Sequence, residues 1–160
     1  MAVLENTPGS LRFELMLADI EKPLKGKQPA SRKLLARVAV EHFDQKEGAW
    51  WPFVRLPALW LGVDEGRELV GSLEAVSRGG GERFAFRSRG SGEVRLEIGR
   101  DAGGYLVEVG FDLRTQLADL SGRRGEPGED LALFRFRTGQ AQLARFAGDL
   151  KVELTELSER

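Results

Sequence analysis

His42 is the sole histidine of the 160-residue chain, and cysteine is absent. Any catalytic triad using an imidazole would have to pass through that one side chain, which ends an alternating run in VEHFD. None of the eight serines lies in a GxSxG elbow or begins an SxxK pair. A two-histidine metal site is impossible, and so is a thiolate zinc or iron–sulfur site. His42 is therefore read as structural or solvent-facing. Phosphate chemistry finds no better support. There is no GxxxxGK loop, and GSGEVR at 90–95 fails GxGxxG because its last position is Arg95. Gly79, Gly80 and Gly81 follow a helical pattern instead of a strand, which suits a helix stop, not a phosphate cradle.

Carboxylate pairs could exchange protons. Asp19 with Glu21 lies at a strand end, and Asp64 with Glu65 and Glu68 opens a helical pattern, where the helix dipole favours negative charge. Neither pairing is read as catalytic. RFAFRSR at 83–89 places three arginines around two phenylalanines, an alternation that can bind single-stranded nucleic acid. Here Phe84 and Phe86 share the apolar face and could not stack on bases, so a solvated strand face is the reading. The expected set of catalytic residues, cofactors and metals is thus none.

Alternation defines the elements. Leu11, Phe13, Leu15 and Leu17 share one face, with Arg12 and Glu14 on the other. Leu34, Ala36, Val38 and Val40 repeat the pattern, and WWPFVRL begins a third strand. The period then changes: Leu69, Val70, Leu73 and Val76 form one stripe of a helix over 65–78, capped by Asp64. Strands return at RFAFRS, at EVRLEI and at YLVEVGFDLR, the last two joined by the glycine-rich turn GRDAGG. ADLSGRRGEPGED at 118–130 reads as an exposed loop and LALFRFR as a last strand. Thr138 is placed to cap a helix over 139–157, lined by Leu143, Phe146, Leu150, Leu154 and Leu157. The first nine residues read as a flexible tail.

The prediction is a single α+β domain over 1–160. It has two layers: one antiparallel sheet of six to seven strands, with both helices on one face. The other face is then bare. Strand parity places on it Arg12, Glu14, Arg37, Glu41, Glu93, Arg95, Glu97, Glu108, Asp112, Arg135 and Arg137. Such a surface is either cross-strand charge pairing in water or a mixed-charge docking face, for which the planar fork of arginine is suited.

All three tryptophans fall within GAWWPFVRLPALWLG at 48–62. Neighbours in a strand point to opposite sides, so Trp50 and Trp51 cannot both be core. The expectation is that at least two of the three are buried, with Trp60 plugging the end of the layer and Trp51 facing out as a partner anchor. Pro52 removes a ladder donor and marks an edge strand or a bulge.

Composition closes off other classes. With 41% hydrophobic and 31% charged residues the chain is an ordinary globular protein. Its net charge of −1 lacks the basic excess of a general nucleic-acid binder. Arginine dominates lysine and Asn6 is the only asparagine, a bias shared by heat-adapted proteins and GC-rich genomes. No run is long and apolar enough to span a membrane, and the N-terminus has no signal-peptide pattern, so the cytoplasm is the expected site.

Three segments, LRFELMLADIEKP at 11–23, the tryptophan-bearing strand and helix near 50–78, and LFRFRTGQAQLARFAGDL at 133–150, together resemble the WapI-like family of bacterial immunity proteins. The sequence departs from that pattern at Ile20, where an aromatic is expected. The resemblance implies inhibition of a cognate toxin domain by binding, with no reaction catalysed, and transfers no functional residue. The leading expectation is a non-catalytic binding protein using Trp51, Arg12, Glu14, Arg37, Glu41, Arg95, Glu97, Arg135 and Arg137. The alternatives are a small-molecule-binding domain or enzyme with Asp, Glu and Arg in a pocket at the sheet end, and a self-associating domain paired through an edge strand.

Overall fold

The structure, a computed structural model, describes residues 1–7, 9–21, 32–88, 94–112 and 132–159. The chain runs through β1 (Ala2–Glu5), β2 (Leu11–Ile20), β3 (Lys33–Asp44), β4 (Ala49–Gly62), α1 (Val63–Ser77), β5 (Arg83–Arg87), β6 (Val94–Asp101), β7 (Gly104–Phe111), β8 (Ala132–Thr138) and α2 (Gln140–Ser158). Four antiparallel strands followed by a helix therefore occur twice, although the two halves share no sequence repeat.

The fold class holds as antiparallel sheet plus two helices, but the sheet count is corrected. The chain builds two four-stranded sheets, β1-β2-β3-β4 and β5-β6-β7-β8, in place of one of six to seven strands. Alternation reports which face of a strand is buried. It does not report which strands share hydrogen bonds, and α1 separates β4 from β5 so that they do not pair.

Nor do the helices cover a single sheet. α2 packs on β1 and β2 and against α1, whereas α1 also touches β3, β4 and β5. One continuous core joins the inner faces of both sheets to both helices. The stripes Leu69, Val70, Leu73 and Val76 of α1 and Leu143, Phe146, Leu150, Leu154 and Leu157 of α2 are all buried in it. Phe13 of β2 meets Phe146 of α2 with ring centroids 5.9 Å apart. The Tyr105 hydroxyl of β7 donates to the Val76 carbonyl at the end of α1 (3.2 Å). The halves also meet where Thr138 donates to the Glu5 carbonyl (2.8 Å) and where the Thr7 amide donates to the Arg137 carbonyl (3.0 Å).

Several local expectations change. The segment read as a tail holds β1, whose Ala2 and Leu4 are fully buried against β2 and α2. Four residues are too short to reveal a period by themselves. Gly62, not Asp64, is the N-cap of α1. The Gly62 amide donates to Glu65 (3.1 Å), while Asp64 pairs with Arg67 (3.1 Å). Gly139 caps α2 without a side-chain bond, because Thr138 is the last residue of β8. The expected loop at 118–130 lies outside the described residues.

β4 is an edge strand of 14 residues with two irregularities. Val40 pairs with Val54 but Glu41 pairs with Pro52, leaving Phe53 as an extra residue. Ala36 pairs with Leu59 but Val38 with Leu56, which leaves one surplus residue in the Pro57–Ala58 segment. Each bulge inverts the parity of the residues beyond it. That is how Leu56, Leu59 and Leu61 can all be buried in one strand although the first two are three residues apart.

Candidate binding surface

The β3–β4 hairpin continues past the end of β2, where Leu11 is the last residue paired with β3. Its turn is closed by Asp44, whose carboxylate accepts the Lys46 amide (2.8 Å), and by Gly48 in the left-handed region at φ +64°. Aromatics crowd this end on both sides. On the outer side Phe43 and Trp50 meet edge to face at 5.4 Å, and the Arg12 guanidinium lies 4.3 Å from the Trp50 ring centroid. On the other side Phe53 stacks on His42 at 4.5 Å and reaches Phe134 of β8 at 5.6 Å. His42 is thus half-buried beneath an aromatic ring.

No tryptophan is core. Trp51 is 47% exposed, Phe53 54% and Trp60 51%, and Trp50 is half-buried. The expectation that two would be buried fails because β4 is an edge strand carrying two bulges. Trp60, opposite Leu35 on the outer side, plugs nothing. Sequence reasoning found Trp51 but passed over Phe53, Phe43 and Trp60. The reading of Pro52 as an edge strand or bulge holds, and Pro57 carried the same signal along the rest of β4.

The other predicted site residues divide between two surfaces. Arg12, Glu14, Arg37 and Glu41 lie on the outer face of the first sheet, and Arg95, Glu97, Arg135 and Arg137 on the outer face of the second. The single charged face is therefore corrected to two. Asp112, expected outside, is buried just beyond β7, and Glu93 is outside the described residues.

On the first sheet Glu41 is the hub. Only 2% of it is exposed. Its Oε2 accepts from Arg12 Nε (3.0 Å) and Nη2 (2.6 Å), and its Oε1 accepts from Arg55 Nη2 (2.7 Å). Burial works against its charge, but the hydrogen bonds and positive charges of Arg55 and Arg12 outweigh it and hold the carboxyl below its ordinary value. Glu14 goes the other way. Burial raises its pKa, the positive charges of Arg12, Arg55 and the N-terminal ammonium only partly offset that rise, and Glu41 adds to it. Glu14 Oε1 lies 2.9 Å from Arg12 Nη2 as an ion pair, but out of line for a hydrogen bond. Arg37 is exposed and has no charge or hydrogen-bond partner among the described residues. A cavity of about 330 Å³ opens among these groups.

The chain matches no family model and no curated protein. It is similar to a solved structure of the plant transcriptional regulator PBF-2, with 13% identity and a TM-score of 0.46 over 93% of this chain and 76% of that one. A likeness that distant says nothing of what this chain binds.

The second sheet's outer face is a charge lattice. Glu97 and Glu108 stand opposite each other, an unfavourable placement for like charges. Arg83 and Arg95 pair with Glu97, and Arg135 pairs with Glu108. Arg137 bonds Asp101 (2.7 Å), and with the Ala102 amide holds that carboxyl below its ordinary value. A wide, shallow hollow of about 880 Å³ covers this lattice, with Gly99 and Leu106 in its floor. Glu97, Glu108 and Asp101 are each matched by an arginine, so it has the properties of a wet, self-satisfied surface. Among the described residues no helix is long and apolar enough to cross a membrane.

Proposed function

We propose that this chain is a non-catalytic protein-binding module that docks a protein partner through the aromatic edge of β4. The observation that supports this reading is the exposure of Trp51 and Phe53 on one edge strand, with Phe43 at the tip of the same hairpin. Leaving such large apolar rings in water forgoes the burial that stabilises a fold, and grouped exposed apolar residues mark interaction sites. Tryptophan is moreover enriched among the residues that dominate binding energy. Arg12, held by Glu41 over the Trp50 ring, and Arg55, held by the same carboxylate, add directional donors on the outer side of the sheet.

Docking by side chains fits this edge better than strand addition. Pro52 and Pro57 lack amide hydrogens and the two bulges break the ladder, so a continuous new strand could not pair along β4. The same features disfavour self-association through this edge. The narrower reading, a bacterial cytoplasmic protein that neutralises a cognate toxin domain, rests on the sequence resemblance alone.

The test is affinity capture from native lysate with the wild-type chain and with a Trp51→Ala/Phe53→Ala variant of matched thermal stability. Proteins retained by the wild type and lost by the variant support docking through β4. Identical captures, or none under cross-linking, refute it.

A further inference from the structure

The cavity on the outer face of the first sheet has its own chemistry. It exists because Ala39, a single methyl on β3, stands in register between two long side chains, Glu14 on β2 and Arg55 on β4. Its apolar lining comes from Met1, Met16, Val38, Leu56 and Pro57 as well as Ala39. At about 330 Å³ it falls at the small end of the roughly 300–1,000 Å³ range of small-ligand sites.

Two opposite charges border this apolar floor without meeting each other. Glu41 is occupied by Arg12 and Arg55, which leaves Glu14 and Arg37. Glu14 has a buried oxygen that makes an ion pair with Arg12 (2.9 Å) but no hydrogen bond, and Arg37 has no partner among the described residues. They are diagonal neighbours across the β2–β3 pair, since Glu14 faces Ala39 and Met16 faces Arg37. Diagonal neighbours lie roughly 7–8 Å apart, within reach of two long side chains, yet Glu14 turns to Arg12 (2.9 Å) and forms no ion pair with Arg37.

From this arrangement we infer that the cavity is a binding site for a small zwitterion with an apolar body, the class of an apolar α-amino acid. The ligand's ammonium group meets Glu14, its carboxylate meets the fork of Arg37, and its side chain lies over Ala39, Leu56 and Pro57. The ligand's carboxylate answers a guanidinium without a partner among the described residues, and its ammonium adds to the single ion pair that Glu14 makes with Arg12. A cation arriving at Glu14 also relieves the burial that now raises its pKa. The cavity takes Arg55, Leu56 and Pro57 from β4 but none of its aromatic rings, so its test is independent of the docking reading.

Titration calorimetry with L-leucine, leucinamide and N-acetyl-leucine tests it on the full chain. L-Leucine should bind saturably. Masking either charged end should weaken binding about tenfold or more, the equivalent of one charge-assisted hydrogen bond. Arg37→Gln should lower leucine affinity to that of leucinamide and leave leucinamide unchanged. Glu14→Gln should do the same with respect to N-acetyl-leucine. Ala39→Leu, which fills the cavity from an outward position, should abolish binding while thermal stability is kept. Among the described residues Arg37 pairs with no other side chain, so its variant tests the site with little folding penalty. No saturable binding of L-leucine, L-methionine or L-phenylalanine at millimolar concentration would overturn the inference. So would binding indifferent to Ala39→Leu or to the masked ends.

Discussion

Arg12 and Glu41 stand opposite each other on β2 and β3, and two guanidinium nitrogens converge on one buried carboxylate oxygen at 3.0 and 2.6 Å. The pair sits on the outer face of a sheet, where sequence parity promises only solvated charge. Arg55 closes over the second oxygen from β4 and Trp50 stacks on Arg12, so the acid ends almost wholly out of water.

Removing Glu41 should therefore cost more than removing either arginine. Glu41→Ala strips the partners from two guanidinium groups and is expected to destabilise by about 1–3 kcal/mol. Arg55 is largely exposed, so Arg55→Ala should cost no more than about 1 kcal/mol. Arg12→Ala should fall between, since it also loses the contact with Trp50. Urea denaturation at pH 7 ranks the three variants, and equal costs for Glu41→Ala and Arg55→Ala would refute the hub.

The two outer-face carboxyls should leave opposite marks on the pH profile of stability. Glu41 has a folded pKa below its unfolded value of about 4.3, so its contribution is complete above that pH and is lost as pH falls through the folded value. Glu14 has a folded pKa above that value, so stability declines as pH rises from about 4.3 through the folded value. Glu41→Gln should flatten the acid limb. Glu14→Gln should keep that limb, abolish the decline above it and make the protein slightly more stable at neutral pH. Thermal melts from pH 3 to pH 7 supply both curves.

Exposed aromatics on β4 should be dispensable for folding. Trp51→Ala or Trp60→Ala is expected to cost under about 1 kcal/mol, against about 3–5 kcal/mol for Phe146→Ala in the core. Acrylamide should quench native tryptophan emission efficiently, and the quenching should fall when Trp51 and Trp60 are replaced together so that only Trp50 remains. Emission shielded from acrylamide in the wild type would place these rings inside.

β1 should behave as a structural strand. Leu4→Ala is expected to cost about 2–5 kcal/mol, because its side chain is fully buried in the core beneath α2. A flexible N-terminus would show no change in melting temperature.

Much of this architecture is legible in the residues themselves. Alternation places Phe13, Val40, Leu96, Val107 and Phe136 on inner faces, and threefold and fourfold spacing places Leu73 and Phe146 in helix stripes, all of them buried. Two things are hidden. Which strands share a sheet depends on nonlocal hydrogen bonds that leave no period, so two sheets read as one. Bulges shift parity by one residue, so alternation carried through β4 misplaces Trp60 and misses the spacing of Leu56 to Leu59. The hub at Glu41 is legible only as an outward charge, because its burial comes from the long side chains of other strands. Glu14 and Arg37 are legible as outward charges, but the hole between them depends on Ala39 being small at one register position.

The claim on which the functional account turns is that β4's exposed rings meet a protein partner. Photo-cross-linking measures it directly: a benzophenone amino acid replaces Trp51 in one variant and Ala85, exposed on the second sheet, in another. Docking through β4 gives a discrete protein adduct in native lysate from position 51 and none from position 85. Equal adducts from both positions, or none from position 51, would contradict it.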